Sequence, residues 1–357
     1  MAKPTILLGM PDHMGIYREI SAALAAQGFD VTEIVFDERQ YRELLRLSLK
    51  ERLHALFRKW IFGDRSVRRQ LCQAAFERSM RQMLQPAGQF DYALFIRGDL
   101  YSRAFLDEVR TRVRYSMVNY QWDGMNRYPE IWQHVAAFDR FYVFDPADLH
   151  SGTDFLPLTN FYLENAGQSL PQADRDFYFL GSHLPGRSDA VAAFGRQAEQ
   201  YGWTLDFNIV CARRKIRSVR QLYPGSINVL DSGYAYGENL RRARRAKVLV
   251  DFKTPGHNGL SFRAFEAIGC RKKLITTNAA VRHYDFYHPD NILIWDGRNF
   301  DGIDDFLRRP YREMEAAIRE KYSFGNWIRY VLQIPPYRPI ELPLAGVRES
   351  KAEQFDC

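Results

Sequence analysis

The stretch Val248–Asn278, VLVDFKTPGHNGLSFRAFEAIGCRKKLITTN, carries the residue types and spacing best suited to chemistry. Pro255, Gly256, Asn258 and Gly259 make a loop whose backbone N–H groups can come close to a ligand. A helix starting near Leu260 then points its positive end at the same place, which suits a diphosphate. Glu266 follows Gly259 by seven residues, about two helical turns, so both can lie along one helix face. A carboxylate there can accept hydrogen bonds from two neighbouring ribose hydroxyls. An ordinary strand–loop–helix unit, with Glu266 a helix-face or buried structural acid, gives the same pattern. The residues alone leave both readings open.

Other polar residues stand where strands end. Gly181, Ser182 and Arg187 follow an apolar run at Asp176–Leu180, and Arg213 and Lys215 follow Thr204–Cys211. Cations there could neutralise a leaving diphosphate, or be surface charge. After the first strand, His13 lies between Asp12 and Gly15; it could act as a general base on an acceptor hydroxyl or only cap or line a cleft. Arg97 and Asp99 follow DYALFI, while Trp122 and Asp123 follow YSMVNY. Asp123 beside an aromatic suits an acceptor sugar or base catalysis, and helix N-capping is the alternative for both aspartates. Asp304-Asp305 makes no metal motif, and the four cysteines form no CxxC pair. Neither a metal nor a cofactor is expected.

Strand and helix signals alternate over most of the 357 residues, which predicts α/β structure with parallel sheets. Strands are expected at Thr5–Leu8, Val31–Phe36, Tyr92–Ile96, Tyr115–Tyr120 and Arg140–Phe144, with helices at Ile16–Ala26, Arg103–Thr111 and Pro129–Ala137. The pattern weakens from Asp145 to Asp174 and restarts, which divides the chain into domains at 1–165 and 166–334 with a tail at 335–357. In the second domain strands are expected at Asp176–Leu180, Thr204–Cys211, Val248–Phe252, Lys273–Thr276 and Asn291–Trp295. Helices are expected there at Arg187–Tyr201, Gly237–Ala246, Leu260–Ile268, Tyr311–Lys321 and Phe324–Leu332.

Net charge is +7, with basic clusters at 65–81, 213–217 and 241–247. Solvated helix faces, anionic membrane, nucleic acid and a phosphorylated substrate all fit such clusters. No helix-turn-helix, zinc-finger or RNA-binding motif supports nucleic acid. No GxGxxG follows the first strand, where GMPDHMG stands instead, so a nicotinamide enzyme is disfavoured. The N-terminus lacks a signal-peptide pattern and no apolar run approaches the roughly 20 residues of a membrane span, so a cytoplasmic protein is expected.

Glu266, Ala267, Gly269 and the strand LITT resemble the second half of the donor-binding motif of GT-B glycosyltransferases. Eight residues before Glu266 stands Asn258, where many retaining members carry a first glutamate; retaining and inverting chemistry stay open. A closer resemblance is to CgeB-like and lipopolysaccharide-core or capsule glycosyltransferase-like proteins. It rests on GLSFRAFE (259–266), KKLITTN (272–278), YDFY (284–287), NILIWD (291–296), YQWDGMNRYP (120–129) and FDRFYVFDPAD (138–148). The resemblance implies a GT-B-like fold, two Rossmann-like doubly wound parallel-sheet domains facing across a cleft. It implies transfer of a sugar from a nucleotide-diphosphate sugar to a lipid-linked or polysaccharide acceptor. Glu266 would bind the ribose, the backbone at Gly259 and Leu260 the phosphates, and Arg187 a phosphate, with Asn258 and Arg263 in the same donor segment. His13 and Asp123 stand as candidate catalytic residues, and Arg97, Asp99 and Trp122 as acceptor-side ones. The basic region 47–81 would rest on anionic lipid at the inner face of the membrane. A non-catalytic nucleotide-sugar-binding protein, a nucleotide-sugar epimerase and a glycerophosphate-type transferase are the alternatives on this architecture.

Overall fold

A computed structural model of the chain describes residues 2–37, 67–84, 88–151, 154–164, 171–256 and 258–343, the side chains of 67–75 excepted. Two compact units result: Met1–His13, Ile20–Gln121 and Tyr128–Tyr142 form one, and Met14–Glu19, Trp122–Arg127 and Val143–Cys357 the other.

The first sheet begins with β1 (Thr5–Pro11), α1 (Ile16–Ala26) and β2 (Asp30–Phe36), followed by α2 (Val67–Leu84) and β3 (Phe90–Ile96). It continues through α3 (Arg103–Arg110), β4 (Val113–Gln121), β5 (Arg140–Val143) and β6 (Leu156–Pro157), in the order β2-β1-β3-β4-β5-β6. The pairings β1–β2, β1–β3 and β3–β4 are parallel. Ile6, Leu7, Leu8 and Leu94–Ile96 are fully buried, as strands covered on both faces require. The helix expected at Pro129–Ala137 is instead two short 3₁₀ turns, Pro129–Gln133 and Val135–Ala137. The segment expected as linker holds β6, which joins this sheet.

The second sheet is built from β7 (Arg175–Ser182), α4 (Pro185–Tyr201), β8 (Leu205–Val210), α5 (Ile216–Arg220) and β9 (Ile227–Leu230). Then come α6 (Tyr236–Arg244), β10 (Ala246–Asp251), α7 (Phe262–Gly269), β11 (Lys273–Thr276) and β12 (Ile292–Ile294). Helices α8 (Ile303–Arg308), α9 (Ala316–Lys321) and α10 (Phe324–Leu332) complete the described chain. Its order is β12-β11-β10-β7-β8-β9. Counted from β7 this is 3-2-1-4-5-6, whose order reverses between β7 and β10.

Strand alternation sorts the second core into two layers. Phe177, Phe179, Val248, Val250 and Ile275 face α4 with Phe194, Phe207, Phe252 and Trp295. Tyr178, Leu249 and Leu274 point the other way, where Ala264, Phe265 and Ile268 of α7 cover them. Helices α4 and α7 therefore cover opposite faces of one sheet. Among the described residues no helix is long and apolar enough to cross a membrane.

Candidate functional site

A cavity of about 630 Å³ opens at the carboxyl ends of β7, β10, β11 and β12. That is where the strand order reverses, and where open parallel sheets hold their ligands. Its wall is formed by Gly186, Arg187, Phe252, Lys253, Asn258 and Thr277, with Asp296 and Gly297 beside Ala190.

The turn from β7 into α4 supplies the cationic side. Pro185 opens the helix without an N–H, Leu184 at the N-cap offers no side-chain hydrogen bond, and the Arg187 and Ser188 amides donate to the Leu184 carbonyl, so the positive end of this 17-residue helix stays uncapped at Gly186. Arg187 reaches back over the strand end, donating from Nη2 to the Ser182 carbonyl (2.8 Å) and from Nη1 to the Phe252 carbonyl (3.0 Å). Its Nε is buried without a hydrogen-bond partner, and among the described residues no carboxylate forms an ion pair with it. Burial pushes the guanidinium below the ordinary arginine range, partly offset by the charge of Asp251. A desolvated cation hydrogen-bonded to carbonyl oxygens and in no ion pair among the described residues is suited to an anion.

Two glycines make this arrangement fit. A Cβ on Gly181 would lie 2.7 Å from Arg187 Nη2 and 2.7 Å from the Phe179 ring, so only glycine leaves the guanidinium its place. A Cβ on Gly186 would lie 2.7 Å from Pro255 Cγ, so the helix start and the β10 loop meet closely there. Lys253 donates through its backbone N–H to Thr277 Oγ1 (2.8 Å) and through Nζ to Asn258 Oδ1 (3.0 Å). The ammonium keeps further donors for a ligand.

The loop before α7 is tied down by side chains. Asn258 N–H donates to Asp145 Oδ2 at 2.9 Å, and Asn160 Nδ2 donates to the Leu260 carbonyl at 2.9 Å. Gly259 is buried, and its Cβ would lie 2.3 Å from the Phe144 ring. Gly259 and Leu260, expected to offer phosphate-binding backbone, are both buried, and Phe144 fills the space a side chain at Gly259 would need. The helix starts at Phe262, after Ser261, whose hydroxyl donates to Asp251 Oδ1 (2.8 Å).

Glu266, expected as the ribose clamp, sits as a buried acid. It is 3% exposed and does not line the cavity. Its carboxylate accepts from Arg263 Nη1 (2.6 Å) and Asn239 Nδ2 (3.3 Å), and bonds the Tyr236 hydroxyl. Arg263 also donates to Asn239 Oδ1 (3.2 Å) and lies 5.0 Å from the centre of the Tyr178 ring, itself hydrogen-bonded to Asn239. Burial, then the Glu266 charge, pushes the Tyr236 hydroxyl well above its ordinary value. The physical reason is the helix face: α7 turns Glu266 toward α6 and Tyr178, on the side of the sheet away from α4.

The remaining sequence-derived residues fall elsewhere. Arg213 and Lys215 lie in an exposed 3₁₀ turn after β8 and do not line the cavity. In the first unit Arg97 adopts a left-handed backbone (φ 66°) and pairs with Asp99 through Nη2 (2.6 Å) and Nε (2.8 Å). Its guanidinium lies 3.3 Å from the Tyr128 ring centre, and Asp99 also accepts from Gln121 Nε2 (3.2 Å). His13 is exposed at the end of β1, its amide bonded to the Pro11 carbonyl. In the second unit Trp122 meets Phe262 edge-on at 5.8 Å, and Asp123 pairs with Arg127 at 3.1 Å. Lys253, Thr277 and Asp296 were missed by sequence reasoning; the signal that finds them is position just past a strand end.

No family model matches the sequence, and no curated protein matches it. Among solved structures, the chain is similar to an α-glucosyltransferase in complex with UDP and a 13-mer DNA containing a HMU base, at 9% identity. That match covers 86% of this chain and 90% of the other, with a TM-score of 0.54. The E. coli heptosyltransferase WaaC with ADP is similar at 11% identity over 81% of this chain and 92% of its own, with a TM-score of 0.36. Acinetobacter baumannii MurG is similar at 11% identity over 76% and 78%, with a TM-score of 0.34. The first likeness and the two parallel six-stranded sheets show the fold: α/β, with two Rossmann-like sheets of the GT-B kind.

Proposed function

We propose that this chain is a glycosyltransferase that binds a nucleotide-diphosphate sugar in the second unit and passes the sugar to a surface-glycan acceptor. One observation carries the donor half: an uncapped 17-residue helix, a desolvated arginine without a carboxylate partner and Lys253 converge on a cavity at the switch point of a Rossmann-like sheet. Arg187, Lys253 and the positive end of α4 at Gly186 would hold the diphosphate and stabilise its charge as it leaves. Support also comes from the similar α-glucosyltransferase, whose structure contains UDP. The acceptor class, lipopolysaccharide or capsule glycan, rests on the sequence resemblance to CgeB-like and related proteins. His13 and Asp123 are the proposed bases, each at a strand end of the first sheet. The domains are proposed to divide near residue 165, and the basic region 47–81, described only from Val67, to contact anionic membrane.

The test is a thermal-shift panel of UDP-, GDP-, dTDP- and ADP-sugars on the wild type and on Arg187→Ala. A ligand at about 100 times its Kd adds roughly 2.7 kcal/mol, or very roughly 5 °C for a domain of this size. One nucleotide class should raise the wild-type Tm, and the shift should shrink sharply in Arg187→Ala. No shift with any of the four would refute the donor site. Release of free nucleotide diphosphate on incubation with bacterial glycan then separates an enzyme from a binding protein.

A further inference from the structure

Resting on the nucleotide reading of the cavity, we infer that Asp296 is its ribose-binding acid, taking the vicinal hydroxyls that the sequence pattern assigned to Glu266. Asp296 is the only carboxylate among the described residues that line the cavity. It stands just past β12, while Arg187 and Lys253 stand past β7 and β10. Gly297 turns the chain with a left-handed φ of 87° so that its Cβ position lies 3.7 Å from Ala190 Cβ. The acid is thereby set beside the second turn of α4, whose first turn carries the cationic cradle.

The carboxylate is also preorganised. Its Oδ1 accepts the backbone N–H groups of Arg298 and Asn299, each at 2.8 Å, which fixes the orientation of the group. Those two bonds hold the Asp296 carboxyl below its ordinary range, so it is ionised at neutral pH. Among the described residues no cation forms an ion pair with it, and Oδ2 is left to accept from a ligand. A carboxylate repels phosphate, so an occupant that fills this cavity must be bipolar, anionic at the Arg187 end and rich in hydroxyl donors at the Asp296 end. A vicinal diol matches a carboxylate donor for acceptor, and a nucleoside diphosphate carries both an anionic and a diol end.

The experiment measures Kd by calorimetry for UDP, 2′,3′-dideoxy-UDP and inorganic diphosphate, with GDP and its dideoxy analogue in parallel. Wild type and Asp296→Asn are compared, since asparagine keeps the Oδ1 acceptor that closes the turn. Wild type should bind the ribonucleotide about tenfold more tightly than its dideoxy analogue. Asp296→Asn should lose that preference while binding inorganic diphosphate as well as wild type or better. Preference retained in Asp296→Asn overturns the inference. So does an equal loss for the ribo and dideoxy forms, which would place the aspartate on the base. The nucleotide that the thermal-shift panel selects replaces UDP where it is another one; where that panel selects none, the nucleotide reading itself is overturned and the inference falls with it.

Discussion

A carboxylate that is 3% exposed, with an arginine 2.6 Å away and an amide and a phenol on its remaining lone pairs, holds secondary structure together. Removing one partner leaves the other charge buried alone, which costs about 3 kcal/mol or more, whereas replacing both by apolar groups of similar volume is close to neutral. Glu266→Ala should therefore lower urea stability by about that amount, and Arg263→Met with Glu266→Leu should restore most of it. A Glu266→Ala protein with wild-type stability and no nucleotide binding would instead return the residue to the ligand. The motif's position at a strand-to-helix turn was legible in the sequence, and so was Arg187. What the glycines serve was not: Gly259 makes room for Phe144, a residue 115 positions away, and no local pattern reports that neighbour. Lys253, Thr277 and Asp296 follow three different strands, and only the sheet order collects them.

At the scale of elements, most strands and helices were legible because both faces of each sheet are covered and the apolar runs stand out against polar loops. Helix Phe324–Leu332 matches its expected bounds. Strand β9 went unread: INVL is four residues between Pro224-Gly225 and Asp231-Ser232-Gly233, too short for its period to show. The face of a helix is harder still, because Glu266 and Gly259 align equally well whether α7 turns them to a ligand or to α6. The β7–α4 turn offers the sharper element-level test. Gly181→Ala places a methyl group 2.7 Å from Arg187 Nη2, which the flexible arginine relieves by swinging away, and 2.7 Å from the Phe179 ring, which must shift slightly. The fold should survive, with a circular dichroism spectrum like that of the wild type. The Tm shift given by nucleotide diphosphate should fall nearly as far as in Arg187→Ala. An undiminished shift would mean that the arginine holds its place by other means and that Gly181 serves only the packing of Phe179.

For the whole molecule the governing quantity is charge. A net +7 over 357 residues draws anions of every kind, both the diphosphate of a donor and the headgroups of an acidic bilayer. The two attractions differ in how salt treats them. Arg187 is desolvated and would work at contact distance, so the hold on phosphate proposed for it should be screened little. A basic surface resting on lipid works through solvent, where the Debye length is about 10 Å at 0.1 M ionic strength and about 3 Å at 1 M. Each lysine or arginine near the lipid surface contributes about 1 kcal/mol before screening. Cosedimentation with phosphatidylserine-containing vesicles should therefore be strong at low salt, fall steeply as salt rises, and vanish on pure phosphatidylcholine. Replacing several arginines of the 65–81 cluster by glutamine should remove it while leaving the nucleotide-induced Tm shift in place. Vesicle binding that ignores salt would show that the contact is not electrostatic, binding that survives those replacements would place it outside the 65–81 cluster, and no vesicle binding at low salt would make the charge a solvated surface.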